Sequence, residues 1–87
     1  MIRTELKEIL STPSAESRKL YRIYPDLFRA LIMWEDYLLE LSYARKREEH
    51  AAKNAARHIV LDYYRIGENT FYELRSILRS LCEDMEE

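Results

Sequence analysis

Leu27-Phe28-Arg29-Ala30-Leu31-Ile32-Met33-Trp34-Glu35-Asp36-Tyr37-Leu38-Leu39-Glu40-Leu41 is the stretch that decides the fold. Leu27, Leu31, Trp34, Leu38 and Leu41 recur at spacings of four, three, four and three, so on a helix of about 3.6 residues per turn they align in one stripe. Phe28, Ile32 and Leu39 widen that stripe. A helix this apolar belongs at the centre of the molecule, with other helices laid against it.

Working outward, Ala52, Ala55, Ala56, Ile59 and Tyr63 form a second stripe, whose alanines allow another helix to approach closely. Between the two stripes, Arg45-Lys46-Arg47 stands where a helix ends and Glu48-Glu49 where one begins, the order that the helix macrodipole favours. This arrangement argues for a break near Lys46. The alternative is one continuous helix of about 40 residues, roughly 60 Å long, supported by the Arg45–Glu49 and Glu49–Lys53 pairs.

Upstream, Ile2, Leu6, Ile9 and Leu10 mark a short amphipathic helix that ends at Ser11-Thr12-Pro13-Ser14. Thr12 is the expected cap of a brief second helix, with Pro13 at its first position and Leu20, Ile23 and Tyr24 on its apolar side before Pro25 stops it. Downstream, Gly67 is expected to take the left-handed conformation that ends a helix, and Thr70-Phe71-Tyr72-Glu73 reads as a capping box opening the next. Phe71, Leu74, Leu78, Leu81 and Met85 then repeat at helical spacing, with Ile77 alongside. The acidic end, Glu83-Asp84-Met85-Glu86-Glu87, opposes the macrodipole and is expected to fray.

These segments make an all-α domain, a small bundle of four to five helices around one long central helix or helix pair. The composition agrees. With one glycine and two prolines among 87 residues there is little material for hairpin turns. At 47% hydrophobic and 34% charged, the chain is too apolar for disorder, and it has no apolar run long enough for a membrane span. Residues 1–87 form one domain with a short acidic tail at 83–87. The lone cysteine, Cys82, excludes an internal disulfide and a cysteine-based zinc site and fits a reducing cytosol. The first residues lack the apolar core of a signal peptide, so the expected location is cytoplasmic. The absence of glutamine and the richness in Glu, Arg and Tyr resemble the bias of proteins from very hot environments, an archaeon or its virus.

No catalytic, cofactor-binding or metal-binding constellation emerges. His50, Asn54, His58 and Asp62 share a helical face, but the two histidines lie about 12 Å apart by helical rise, too far for one ion, and a solvated face explains them. Adjacent carboxylates such as Glu35-Asp36 and Glu48-Glu49 point about 100° apart on a helix and make no acid–base pair. Cys82 follows an apolar stripe, and no glycine-rich loop exists to cradle a phosphate. The chain reads as a non-enzyme.

Binding is the better-supported class. Seven tyrosines exceed what one small core can bury, and tyrosine with arginine is the pairing that interfaces favour; Tyr37, Tyr43, Tyr63, Tyr64 and Tyr72 are the candidate partner-facing residues. Charge is segregated: residues 13–66 carry ten Lys or Arg against eight Asp or Glu, whereas residues 67–87 carry two against six. Arg45, Lys46, Arg47, Lys53 and Arg57 are candidate phosphate contacts, set against interleaved acids and a net charge of −2.

Tyr24-Pro25-Asp26-Leu27-Phe28 resembles the opening of a long helix, and Asn54-Ala55-Ala56-Arg57-His58-Ile59-Val60 a later helix, in the α-helical domain of archaeal GINS subunits, replication factors that join the replicative helicase. The likeness covers about residues 20–82, and the family's β-rich second domain has no counterpart in this chain. Low mass, helical content and charge segregation also resemble the small helical accessory subunits of archaeal family-B DNA polymerases. What the resemblance implies is a non-enzymatic accessory or interaction subunit of a larger assembly in archaeal DNA replication. Its partner is then a protein, a replisome component or a second copy of itself. The alternative is a small dimeric DNA-binding regulator of archaeal or viral origin.

Overall fold

The computed structural model describes residues 1–85. Five helices follow one another: α1 (Arg3–Ser11), α2 (Ala15–Ile23), α3 (Leu27–Tyr43), α4 (Glu49–Tyr64) and α5 (Glu68–Leu81), with no strand among the described residues. The all-α bundle is as the composition requires, and the long apolar segment is a helix pair.

Helix α3 ends at Tyr43, where the N–H of Ala44 is shared between the carbonyls of Glu40 and Leu41 and a turn from Arg47 to Ala44 follows. No side chain caps α4; its first turn carries Glu49, which suits the positive end of the dipole. The Glu49–Lys53 pair forms at 3.4 Å inside α4, whereas Arg45 lies in the connection, outside both helices.

Three local expectations are corrected. The cap of α2 is Ser14, whose Oγ accepts the Ser17 N–H at 3.0 Å; Thr12 instead closes α1, its N–H donating to Ile9. The left-handed residue after α4 is Arg65, at φ 53° and ψ 49°, and not Gly67. Ile66 reaches back to the Leu61 carbonyl, so the turn is completed two residues before the glycine. Gly67 is extended and serves as the N-cap of α5, which therefore starts at Glu68 and leaves Thr70 inside the first turn, where no capping box forms.

The acidic tail also departs from expectation. Rather than fraying along α5, the chain leaves the helix after Leu81 and returns to α1, where the Glu83 N–H donates to the Met1 carbonyl at 2.9 Å. Asp84 accepts the Arg3 N–H at 2.9 Å, a free donor of the first turn of α1. A carboxylate that opposes the dipole at the end of α5 complements it at the start of α1. The Arg3 backbone N–H, with the Arg3 guanidinium beside it, holds the Asp84 carboxyl below its ordinary value. Met85 packs on the core outside any helix; Glu86 and Glu87 lie outside the described residues.

Helix α3 packs against each of the other four helices. Trp34 is its centre, fully buried, with ring centroids 4.9 Å from Tyr37 and 6.5 Å from Phe71 of α5. Ala52 and Ala56 are buried where α4 meets α3, the close approach that small side chains permit. Lys7 bridges to Glu35 at 3.0 Å, tying α1 to α3, and the Tyr21 hydroxyl donates to the Leu10 carbonyl, tying α2 to α1. The buried side of α3 is Leu27, Ala30, Leu31, Met33, Trp34, Tyr37 and Leu41. Leu38 is half-buried, and Phe28 and Leu39 are exposed. On α4 the buried set is Ala52, Ala56, Val60 and Leu61, while Ile59 and Tyr63 face outward.

Two pairs of substitutions test these placements by chemical denaturation. Leu31→Ala should cost about 2–5 kcal/mol, whereas Leu39→Ala, at a half-exposed position despite its place in the apolar run, should cost no more than about 0.5 kcal/mol. Arg65→Gly should raise stability by up to about 1 kcal/mol by relieving the left-handed strain. Gly67→Ala should stay within about 0.5 kcal/mol of neutral: the extended backbone admits a Cβ that meets nothing within 4 Å, but the gain from a stiffer unfolded chain is offset because alanine is a poorer N-cap than glycine.

Candidate partner-docking face

The apolar band of α3 is wider than its neighbours can cover. Phe28, Ile32, Leu39 and Tyr43, at spacings of four, seven and four, form a ridge along the side of α3 turned from the core, with Leu39 50% and Tyr43 70% exposed. On α4, Ala55, Ile59 and Tyr63, each four apart, form a second ridge, with Ile59 49% and Tyr63 76% exposed. The helices run antiparallel, so Tyr63 and Tyr64 stand beside Asp36, and Ala55 beside Tyr43 and Ala44.

Between the ridges lie two adjoining hollows. One, of about 260 Å³, is lined by Asp36, Leu39, Glu40, Ile59, Val60, Tyr63 and Tyr64. The other, of about 400 Å³, is lined by Glu40, Tyr43, Ala44, Arg47, Ala55 and Ile59. Glu40 and Ile59 border both, making the two hollows one trough.

The floor is polar in a fixed way. Tyr64 donates its hydroxyl to Asp36 Oδ2, pinning α4 to α3. Burial, and then the bond to the Asp36 carboxylate, push the Tyr64 phenol well above its ordinary value. Glu40, one turn beyond Asp36 and half-buried, makes neither a hydrogen bond nor an ion pair through its carboxylate among the described residues. Sequence reasoning missed this pair. The signal was present as two acids four apart inside an otherwise apolar segment, where a buried helix face does not ordinarily carry them.

The five candidate tyrosines do not share one surface. Tyr43 and Tyr63 lie on the trough's ridges, and Tyr64 lines it with its hydroxyl engaged. Tyr37 is 4% exposed, packed between Trp34 and Phe71, and is therefore corrected from interface to core: its ring completes the central aromatic cluster. Tyr72, on α5, belongs to a separate cluster in which the Arg75 guanidinium lies 4.9 Å and that of Arg57 6.0 Å from its ring.

The five candidate phosphate contacts are likewise divided. Arg45, Lys46 and Arg47 are exposed on the α3–α4 connection. Lys53 borders a small hollow with Arg45 and Arg47 but pairs with Glu49. Arg57 turns the other way, donating to Tyr72 and Asn54 and approaching Glu68 at 3.8 Å. Five cations in the sequence thus become three on one loop.

His50, His58 and Asp62 are exposed, and the Asn54 side-chain oxygen accepts from Arg57, which draws it toward α5. Among the described residues there is no group of three or more His, Cys, Asp or Glu side chains placed to hold a metal ion, and no helix long and apolar enough to cross a membrane. Cys82 is buried, and desolvation raises its thiol pKa above the ordinary value, which keeps it protonated and unreactive. No protein-family model, curated protein or solved structure matches the chain.

The Asp36–Tyr64 contact is open to direct test. Alkaline absorbance titration should show a phase that ionises well above the usual value of about 10, and Tyr64→Phe should reduce its amplitude by one tyrosine. A late phase of undiminished amplitude in Tyr64→Phe would contradict the assignment.

Proposed function

We propose that this chain is a non-catalytic interaction subunit that joins a partner protein through the α3–α4 trough. One observation carries the reading: a contiguous, largely apolar face, built from regular positions of two helices, that no other helix among the described residues covers. Tyr43 and Tyr63 alone each offer on the order of 150 Å². With Leu39 and Ile59 the face reaches the few hundred Å² at which an exposed patch on a small protein is commonly functional. Tyrosines bordering a groove are also the residue type that concentrates binding energy.

The resemblance to GINS helical domains makes a replication protein the first partner class to seek. A single cysteine, which leaves no pair for an internal disulfide, is in keeping with a cytoplasmic setting. Duplex binding has narrower support, the three cations at Arg45, Lys46 and Arg47 on the connecting loop.

Affinity capture from the host extract, run in parallel on the native chain and on Leu39→Glu/Ile59→Glu with and without nuclease, tests the reading. A defined protein retained by the native chain after nuclease, and reduced at least tenfold with the double variant, is the expected result. Retention that disappears with nuclease in both chains would transfer the function to the basic loop. Circular dichroism and thermal melts accompany the capture, and both altered positions are exposed, so the fold should be unchanged.

A further inference from the structure

Given that the trough is the docking face, the geometry points to its occupant: we propose that it receives an amphipathic helix of another protein, carrying a basic side chain that seats between Glu40 and Asp36. Three observations converge. First, the trough is bounded by two helical ridges, and from Asp36 to Tyr43 it runs for about 10 Å, the reach of two turns of a ligand helix with apolar anchors at i, i+3, i+4 and i+7. A helix laid there completes a three-helix layer at ordinary packing distance. An extended strand finds no sheet edge to pair with among the described residues.

Second, the polar groups in the floor are acids. Asp36 already accepts from Tyr64, while Glu40 borders both hollows with its carboxylate unpaired among the described residues. Covering the trough with a purely apolar surface strands that charge away from water, which is strongly unfavourable, whereas an ammonium or guanidinium from the ligand pairs with it. Among the described residues, Arg47, at the loop end of the second hollow, is the only cation lining either one.

Third, the same acids argue against a second copy. A two-fold pairing whose axis passes Glu40, the residue that borders both hollows, sets that carboxylate against its counterpart, and like charges at the centre of an interface are strongly disfavoured. A basic ligand helix meets the same acids without that repulsion.

The test uses the full chain with two designed peptides of about five turns. They are identical in their leucine anchors and differ only at one central position, lysine in one and glutamate in the other. Affinities come from fluorescence anisotropy, and the site from NMR shifts at Leu39, Glu40 and Ile59. The lysine peptide should bind at least about tenfold more tightly than the glutamate peptide, and Glu40→Lys should reverse that preference while leaving the apolar contacts in place. Equal binding of both peptides at these residues overturns the basic occupant but leaves the docking face standing. If neither peptide binds and sedimentation shows a dimer that Ile59→Glu dissolves, the occupant is a second copy and the proposal fails. If neither binds and the chain is monomeric, the proposal fails as well, and the docking face then rests on affinity capture alone.

Discussion

The burial of Trp34 organises the rest of the molecule. An indole this large, fully enclosed in a chain of 87 residues, requires neighbours on several sides, and α3 obtains them from α1, α2, α4 and α5. Tyr37 and Phe71 supply the aromatic contacts, and Ala52 and Ala56 let α4 come close. A small domain has few ways to enclose such a centre, since its surface is large for its volume. Four short helices suffice for the Trp34 side of α3 but leave its opposite ridge bare.

That geometric limit links fold to function. The residues that do not fit inside are not scattered; they continue the helical periodicity of the core residues and line up as two ridges. Between them, the Asp36–Tyr64 bond fixes how α4 lies on α3, and so fixes the width of the trough. The opposite side of the molecule is closed differently. Asp84 caps α1 from the far end of the chain, and the Arg57–Tyr72–Arg75 cluster spans α4 and α5. Closure on those sides and an open trough on the other single out the trough as the face for which we propose a partner.

Much of the architecture was legible in the sequence because helix periodicity is a local property. The helical segments, the stop at Pro25 and the apolar side of α5 follow from spacing and turn chemistry, and the dipole argument favoured the break between Tyr43 and Glu49 over one continuous helix. The details that required the structure depend on longer-range competition. Whether Thr12 or Ser14 caps α2 turns on which backbone group closes α1, and whether Arg65 or Gly67 turns left-handed depends on where α4 stops. The tail's return to α1 joins residues 81 positions apart, beyond any periodic signal. For the site, Tyr43, Tyr63 and Tyr64 were named from composition, but composition could not separate them from Tyr37, which fills the core. Periodicity likewise counted Leu39, Ile59 and Tyr63 as core, because it reports which residues are apolar and not how many of them the neighbouring helices can cover.

Tyrosine-specific labelling with mass-spectrometric readout, on the free chain and on its complex with a captured partner protein, tests the central claim most directly. Tyr43 and Tyr63 should react readily in the free chain and become protected in the complex, while Tyr37 stays unreactive in both. Equal reactivity of Tyr37 with Tyr43, or a complex in which Tyr43 and Tyr63 remain as reactive as before, would contradict the account of an open trough that the partner covers.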